Sequence, residues 1–231
     1  MAFGMKVTTG DFREIIKFDA RAGRLFRIDR DMNNDKTQVD ITSPQVRFAV
    51  DFGTLEAGWM MIGVQGPVRH MVPYHPGVEM PAKPTDKGED GKPLFKPAFW
   101  TLVAGQSVGG VREFASSAGV VTNVMDELHQ RYLGSPEAAT GKIPLVSIVS
   151  TTPVTSGRGT NKSTNYAPVF EIVGWVDRLP DMGRRTVPVP APRATGQEPA
   201  RPAPQSMPAA PVMPPPAAHV SAAAPSAMPD F

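Results

Sequence analysis

From Thr186 to Phe231 the chain has no Ile, Leu, Tyr or Trp, and its only Phe is the last residue. The same stretch holds 13 of the 26 prolines and about a dozen alanines. Ordering a backbone costs about 1–2 kcal/mol per residue, and this composition has almost no apolar surface to bury in return. The segment is therefore expected to stay extended and disordered. That leaves 1–180 as the folding domain and 181–231 as a Pro/Ala-rich tail ending in Met228, Pro229, Asp230 and Phe231. About 180 residues are enough for one domain with a real core.

With no cysteine, neither disulfides nor thiolate metal sites are available, which fits a reducing cytoplasm. Residues 1–11 lack the apolar run of a signal peptide, and no stretch approaches the roughly 18–20 apolar residues of a membrane helix. A cytoplasmic protein with no membrane partner is expected. The 24 basic and 22 acidic residues give a net charge of only +2, so local clustering must decide whether a polyanion is bound.

Strand signals dominate the domain. Arg24–Arg30 sets Phe26 and Ile28 between Arg27 and Asp29, and Gln45–Phe52 places Val46, Phe48, Val50 and Phe52 on one face. Gly53–Gly58 reads as a turn and Trp59–Ile62 as the return strand of a hairpin. Pro67–Pro97 is crowded with Pro, Gly and charge, the pattern of a long insertion loop. Phe99–Ala104 re-enters as a strand. Val111–Leu133 reads as helix, because Phe114, Ala118, Val121, Met125, Leu128 and Tyr132 recur at steps of three and four, with Gly119 weakening the middle. Ile143–Val149 and Tyr166–Val176 close the domain as strands around a polar, basic loop, Thr151–Asn165.

The expected class is mainly β (α+β). Strands, a helix and a final two-stranded hairpin follow the order of a five-stranded oligonucleotide-binding (OB) barrel, in which the helix lies between the third and fourth strands. A small β-sandwich or another α+β domain shares the pattern. Such a domain joined to a disordered tail with an aromatic tip resembles the bacterial and phage single-stranded DNA-binding proteins. That family recruits replication and repair partners through an acidic tip with a terminal Phe. The matching residues are Met228, Pro229, Asp230 and Phe231, although Asp230 is the only acid among them, where the family usually carries several. The resemblance implies binding of single-stranded DNA in phage or prophage replication or recombination, with partner proteins docking on the tip. A homo-oligomer is compatible with it.

Such binding needs cations for phosphates and aromatic faces for bases, each stack contributing about 1–3 kcal/mol. The candidate cations are Arg27, Arg47, Arg158 and Lys162. Arg27 has the opposite alternation parity to Phe26 and Ile28, which favours it over Arg24 and Arg30. The candidate stacking residues are Trp59, Trp100, Tyr166 and Trp175. No cofactor is implied. Gly157–Ser163 approaches a phosphate-binding loop, but Asn161 stands where glycine is needed and a strand follows instead of a helix. His70 and His75 lack further ligands at metal spacing, and no nucleophile or acid/base motif is present, so an enzyme is not expected. Two other readings remain: a structural or virion-associated scaffolding protein with a tethering tail, and a domain that recruits proteins through its tail alone.

Overall fold

A computed structural model describes residues 13–31, 33, 35–63, 66–157, 162–183 and 185–191. Arg158 and the tip, Met228 to Phe231, lie outside the described residues. The domain is mainly β, as expected, with nine strands among the described residues rather than five. They are β1 (Ile15–Asp19), β2 (Arg24–Arg30), β3 (Lys36–Asp40), β4 (Arg47–Gly63), β5 (Gly66–Pro73), β6 (Lys96–Gly105), β7 (Gly110–Ser116), β8 (Ile143–Ser156) and β9 (Ser163–Val176). Helices α1 (Gly119–Leu133) and α2 (Pro136–Ala139) separate β7 from β8. The strands form one sheet curled into a half-barrel, in the order β3-β2-β1-β7-β6-β4-β8-β9, with β5 also on β4. Every pairing is antiparallel except that of β1 with β7.

The expected turn at Gly53–Gly58 does not form. Instead β4 runs through it for 17 residues. Against β6 its register jumps from Asp51↔Leu102 to Glu56↔Trp100, five steps on one strand against two on the other. Threonine hydroxyls hold this wide bulge together. Thr54 and Thr101 each donate to the Asp51 carbonyl at 2.8 Å, and the Leu102 amide donates to Thr54 Oγ1 at 3.0 Å. A bulge bends a strand and increases its twist, so the two halves of β4 serve different neighbours. Arg47–Ala49 pair with β8, and Glu56–Gly63 pair with β5.

Two other expectations are corrected. Residues 110–116 are strand β7, with Arg112, Phe114 and Ser116 buried at period two. The four-residue step from Phe114 to Ala118 imitates a helical spacing across the strand–helix junction. The helix starts at Gly119, and Val121, Met125, Leu128 and Tyr132 are its buried stripe. In the expected insertion, Gly66–Pro73 pairs with β4, while 74–95 is irregular apart from the isolated bridge Lys87↔Pro93.

Inside the curl, Phe114 packs edge-to-face with Phe99 (5.3 Å) and Phe170 (6.3 Å), and Phe170 does so with Phe48 (6.1 Å). Beside them His129 is 1% exposed and lies 5.0 Å from the Phe52 ring and 5.6 Å from Tyr74. Burial pushes its pKa down to about 4, against a smaller opposing pull from Asp126.

The outer face is covered too. Ala49, Leu102, Ala104 and Ile143 pack against Met182, which is fully buried. Met182 belongs to a strap that follows β9, so packed chain continues past residue 180. Arg178 Nε donates to Asp51 Oδ2 at 2.7 Å, and the Thr186 and Val187 amides both donate to the Gly53 carbonyl. Asp51 is 0% exposed. Among the described residues no helix is long and apolar enough to cross a membrane.

Removing one partner from a buried ion pair leaves the other charge uncompensated. Arg178→Ala is expected to lower unfolding free energy by about 3–5 kcal/mol, read from the urea midpoint at constant m-value. His129 supplies a pH signature. Its folded pKa lies below the unfolded value, so the unfolded chain binds the extra proton and stability falls as pH drops from about 6.5 toward 4. Wild type is expected to lose up to about 3 kcal/mol more than His129→Phe across that window, measured by urea denaturation at each pH.

Candidate nucleic-acid interface

The expected loop between the last two strands is mostly ladder. Pairing of β8 with β9 continues from Ile148↔Phe170 out to Ser156↔Ser163, and from Thr152 outward β8 is exposed. Thr151, Thr152, Val154, Thr155 and Thr164 are β-branched, which favours pleated backbone even in polar sequence. The Thr155 and Thr164 hydroxyls meet across the pair at 3.2 Å. The result is a two-stranded arm with Lys162 exposed near its end. The other expected loop cation, Arg158, lies outside the described residues.

At the arm's root the Tyr166 amide donates to the Ala20 carbonyl at 2.6 Å, bringing the β1–β2 turn against β9. Gly23 makes this approach possible. Its φ is +65°, and a Cβ there would lie 3.0 Å from Tyr166 Cβ. Asp19 shapes the turn by accepting the Arg21 and Ala22 amides at 2.9 and 3.1 Å. The hydrogen bond from Ala22 holds its carboxyl below the usual range, aided by Arg21 and by the charges of Lys17 and Arg21, against some desolvation. Arg21 and Lys17 are both exposed, and neither makes an ion pair among the described residues.

The remaining expected residues are dispersed. Arg27 is not on the outer face. It lies opposite Ile16 while Leu25 lies opposite Phe18, so Leu25, not Phe26, sets the inward parity of β2. Arg27 pairs with Asp29 at 2.9 Å, and Asp29 also pairs with the buried Arg112 at 2.6 Å. Arg112 further binds Glu14 and the Ile28 carbonyl, so this group ties β7 to β2. Arg47 is exposed at the start of β4 and makes no ion pair among the described residues.

Trp59 donates its indole N–H to the Pro81 carbonyl at 2.8 Å, and Lys83 sits 5.4 Å from its ring. Trp175 lies 6.1 Å from Tyr132, against the core. Trp100 lies on the outer face of β6, with Arg69 5.9 Å from its ring. Arg69 also pairs with Glu113 at 3.0 Å, and burial raises the pKa of nearby Glu56, opposed by Arg69 and reinforced by Glu113. Two carboxylates around one guanidinium make the Trp100 surface a poor seat for phosphate. The four aromatics therefore form no common platform; Tyr166 alone stands at the arm.

Arg21 and Lys17 were missed in the sequence because they precede the first strong strand signal. Among the described residues no group of three His, Asp or Glu side chains could hold a metal. His70 packs on Phe95, and His75 Nδ1 lies 3.1 Å from the Pro76 carbonyl.

Gly23→Ala is expected to cost at least about 1 kcal/mol from the left-handed backbone alone. Contact with Tyr166 adds to this, and hydrogen exchange at the Tyr166 amide should accelerate selectively. Searches of protein-family models, curated proteins and solved structures find no match to this chain.

Proposed function

We propose that the chain binds single-stranded DNA without sequence preference, in phage or prophage replication or recombination, through the β8–β9 arm and the basic turn at its root. The carrying observation is the arm's chemistry. From Val149 to Phe170 there is no Asp or Glu, five threonines and three serines line the segment, and its only charges are Arg158 and Lys162. An exposed, extended, acid-free ribbon offers hydroxyl and amide donors beside cations, which suits a phosphate backbone. Arg21 and Lys17 extend positive charge from its root, and Tyr166 offers a ring for stacking there.

The architecture supports the same reading. Along the path β7-β6-β4-β8-β9, chain order is β4, β6, β7, then α1, then β8 and β9. The helix thus falls between the third and fourth of five strands and the arm is the final hairpin, as in an OB barrel. On this reading β1–β3 and β5 are additions to that barrel. The tip at Met228–Phe231 would recruit replication or recombination proteins.

A fluorescent dT oligomer titrated with the full chain should bind, and its affinity should fall linearly in log–log form as salt rises. Arg158→Ala with Lys162→Ala should weaken binding and flatten that slope by about 1.4, from about 0.7 per phosphate contact on single strands. Absence of binding at low salt, or a slope unchanged in the double variant, overturns the proposal.

A further inference from the structure

An edge strand presents amides and carbonyls that no neighbouring strand uses, so one chain can add to another there. β3 and β9 end the path of the sheet and β5 branches from β4, so each has one side without a partner strand. Two of these edges are guarded. β3 carries Lys36 and Asp40 at its ends. On β9, Pro168 has no amide to offer, the Tyr166 amide is taken by Ala20, and the Phe170 carbonyl accepts from Arg131 of α1 at 3.3 Å. β5 has no such cover among the described residues.

The alternation of β5 is fixed by the residue that follows it. The Tyr74 amide donates to the Leu55 carbonyl of β4 at 2.8 Å, so the even-numbered Val68, His70 and Val72 turn their backbone groups toward β4. Pro67, Arg69, Met71 and Pro73 turn theirs away. The two prolines leave no amide unpaired on that side. Arg69 and Met71 each have one, and neither amide has a partner among the described residues. Apolar side chains lie open beside them: Val68 is 42% exposed, and Ile62, opposite Pro67 on β4, is 76% exposed.

We propose that this edge pairs with the same edge of a second copy of this chain, antiparallel about a two-fold axis at His70. The occupant follows from the symmetry of the strand. At full overlap Arg69 stands opposite Met71 of the second copy, and each amide donates to the other's carbonyl. The two-fold axis repeats this pair, which makes four hydrogen bonds. Pro67 stands opposite Pro73 of the second copy, so neither end loses a donor. Val68 meets Val72 of the second copy and is covered by it. Charge fits as well. Arg69 is the one Lys, Arg, Asp or Glu of β5, its charge is met by Glu113 at 3.0 Å, and it faces a methionine. Sliding the strands to set Arg69 opposite its own copy would oppose like charges and shorten the overlap. No residue of the β8–β9 arm takes part, so the inference does not rest on strand binding.

The test is sedimentation equilibrium of the full chain from micromolar to millimolar concentration, with hydrogen exchange measured across the same range. A monomer–dimer equilibrium is expected. Exchange at the Arg69 and Met71 amides should slow as the dimer forms, while that at Gln38, which faces away from β2 on the guarded β3 edge, stays unchanged. Met71→Pro removes one outward amide per chain and leaves the pairing with β4 intact. It should raise the dissociation constant at least about tenfold. Val68→Lys, at an exposed position, should do the same by placing a charge against Val72 of the second copy, and it decides the matter should Met71→Pro unfold the domain. A monomer throughout the range, which would leave the edge to an extended peptide of another protein, overturns the proposal. So does a dimer that forms without slowing the Arg69 and Met71 amides, or one that Val68→Lys leaves unchanged.

Discussion

Thr101 donates its hydroxyl to the Asp51 carbonyl, and Thr54 does the same while accepting the Leu102 amide. These three bonds replace ladder pairs lost where β4 and β6 fall out of register. A wide bulge in a central strand would otherwise leave buried peptide groups unpaired, a cost of about 1–3 kcal/mol each. With the gap closed, one strand pairs with β8 at its start, with β5 at its end and with β6 on both sides of the bulge. The curl of the sheet follows from that bend. So does the position of Asp51, whose carboxylate faces outward from the bulge toward Arg178.

Much of this was legible in the sequence where one rule acted alone. The alternation through Phe48, Val50 and Phe52 marks a strand buried on its inner face, and the stripe from Val121 to Tyr132 marks a helix; both form. The failures came where two rules competed. Gly53 and Gly58 are ordinary turn residues, but here a Cβ added at Gly58 would lie only 2.1 Å from the His70 carbonyl oxygen, and one at Gly53 2.8 Å from the Arg185 side chain. Glycine marked close approach, not reversal. In β5, Pro67 and Pro73 suggested a loop, yet proline is tolerated on an edge strand that needs no amide on its free side. The polar arm was read as a loop because hydroxyls dominate it, although threonine favours strand. Residue parity on β2 was inverted because Phe26 is larger than Leu25, while burial follows the partner strand: Leu25 meets Phe18.

Charge in this domain divides into two kinds. Arg112, Arg178 and Arg27 are structural. Their guanidinium groups bind carboxylates within or at the edge of the fold, and Arg112 is only 3% exposed while touching two of them. Lys17, Arg21, Arg47 and Lys162 are exposed and make no ion pair among the described residues. A net charge of +2 conceals this division, because Glu14, Asp29 and Asp51 pair with the first kind and leave the second uncompensated. Sequence position alone could not sort them, since the partners Glu14 and Asp29 lie far from Arg112 in the chain and meet it only through the β1–β7 and β1–β2 pairings.

The strap that covers the outer face follows β9, late in the described residues. Asp51 lies near the beginning of the domain, and the guanidinium that neutralises it arrives 127 positions later. During synthesis, therefore, a nascent chain can pair its strands and close its inner core while that carboxylate still faces water. The two faces of the sheet mature at different times, and the outer one is sealed only after Val187 has left the ribosome and its amide has reached Gly53. Folding of this domain is in that sense completed by the segment adjoining its tail.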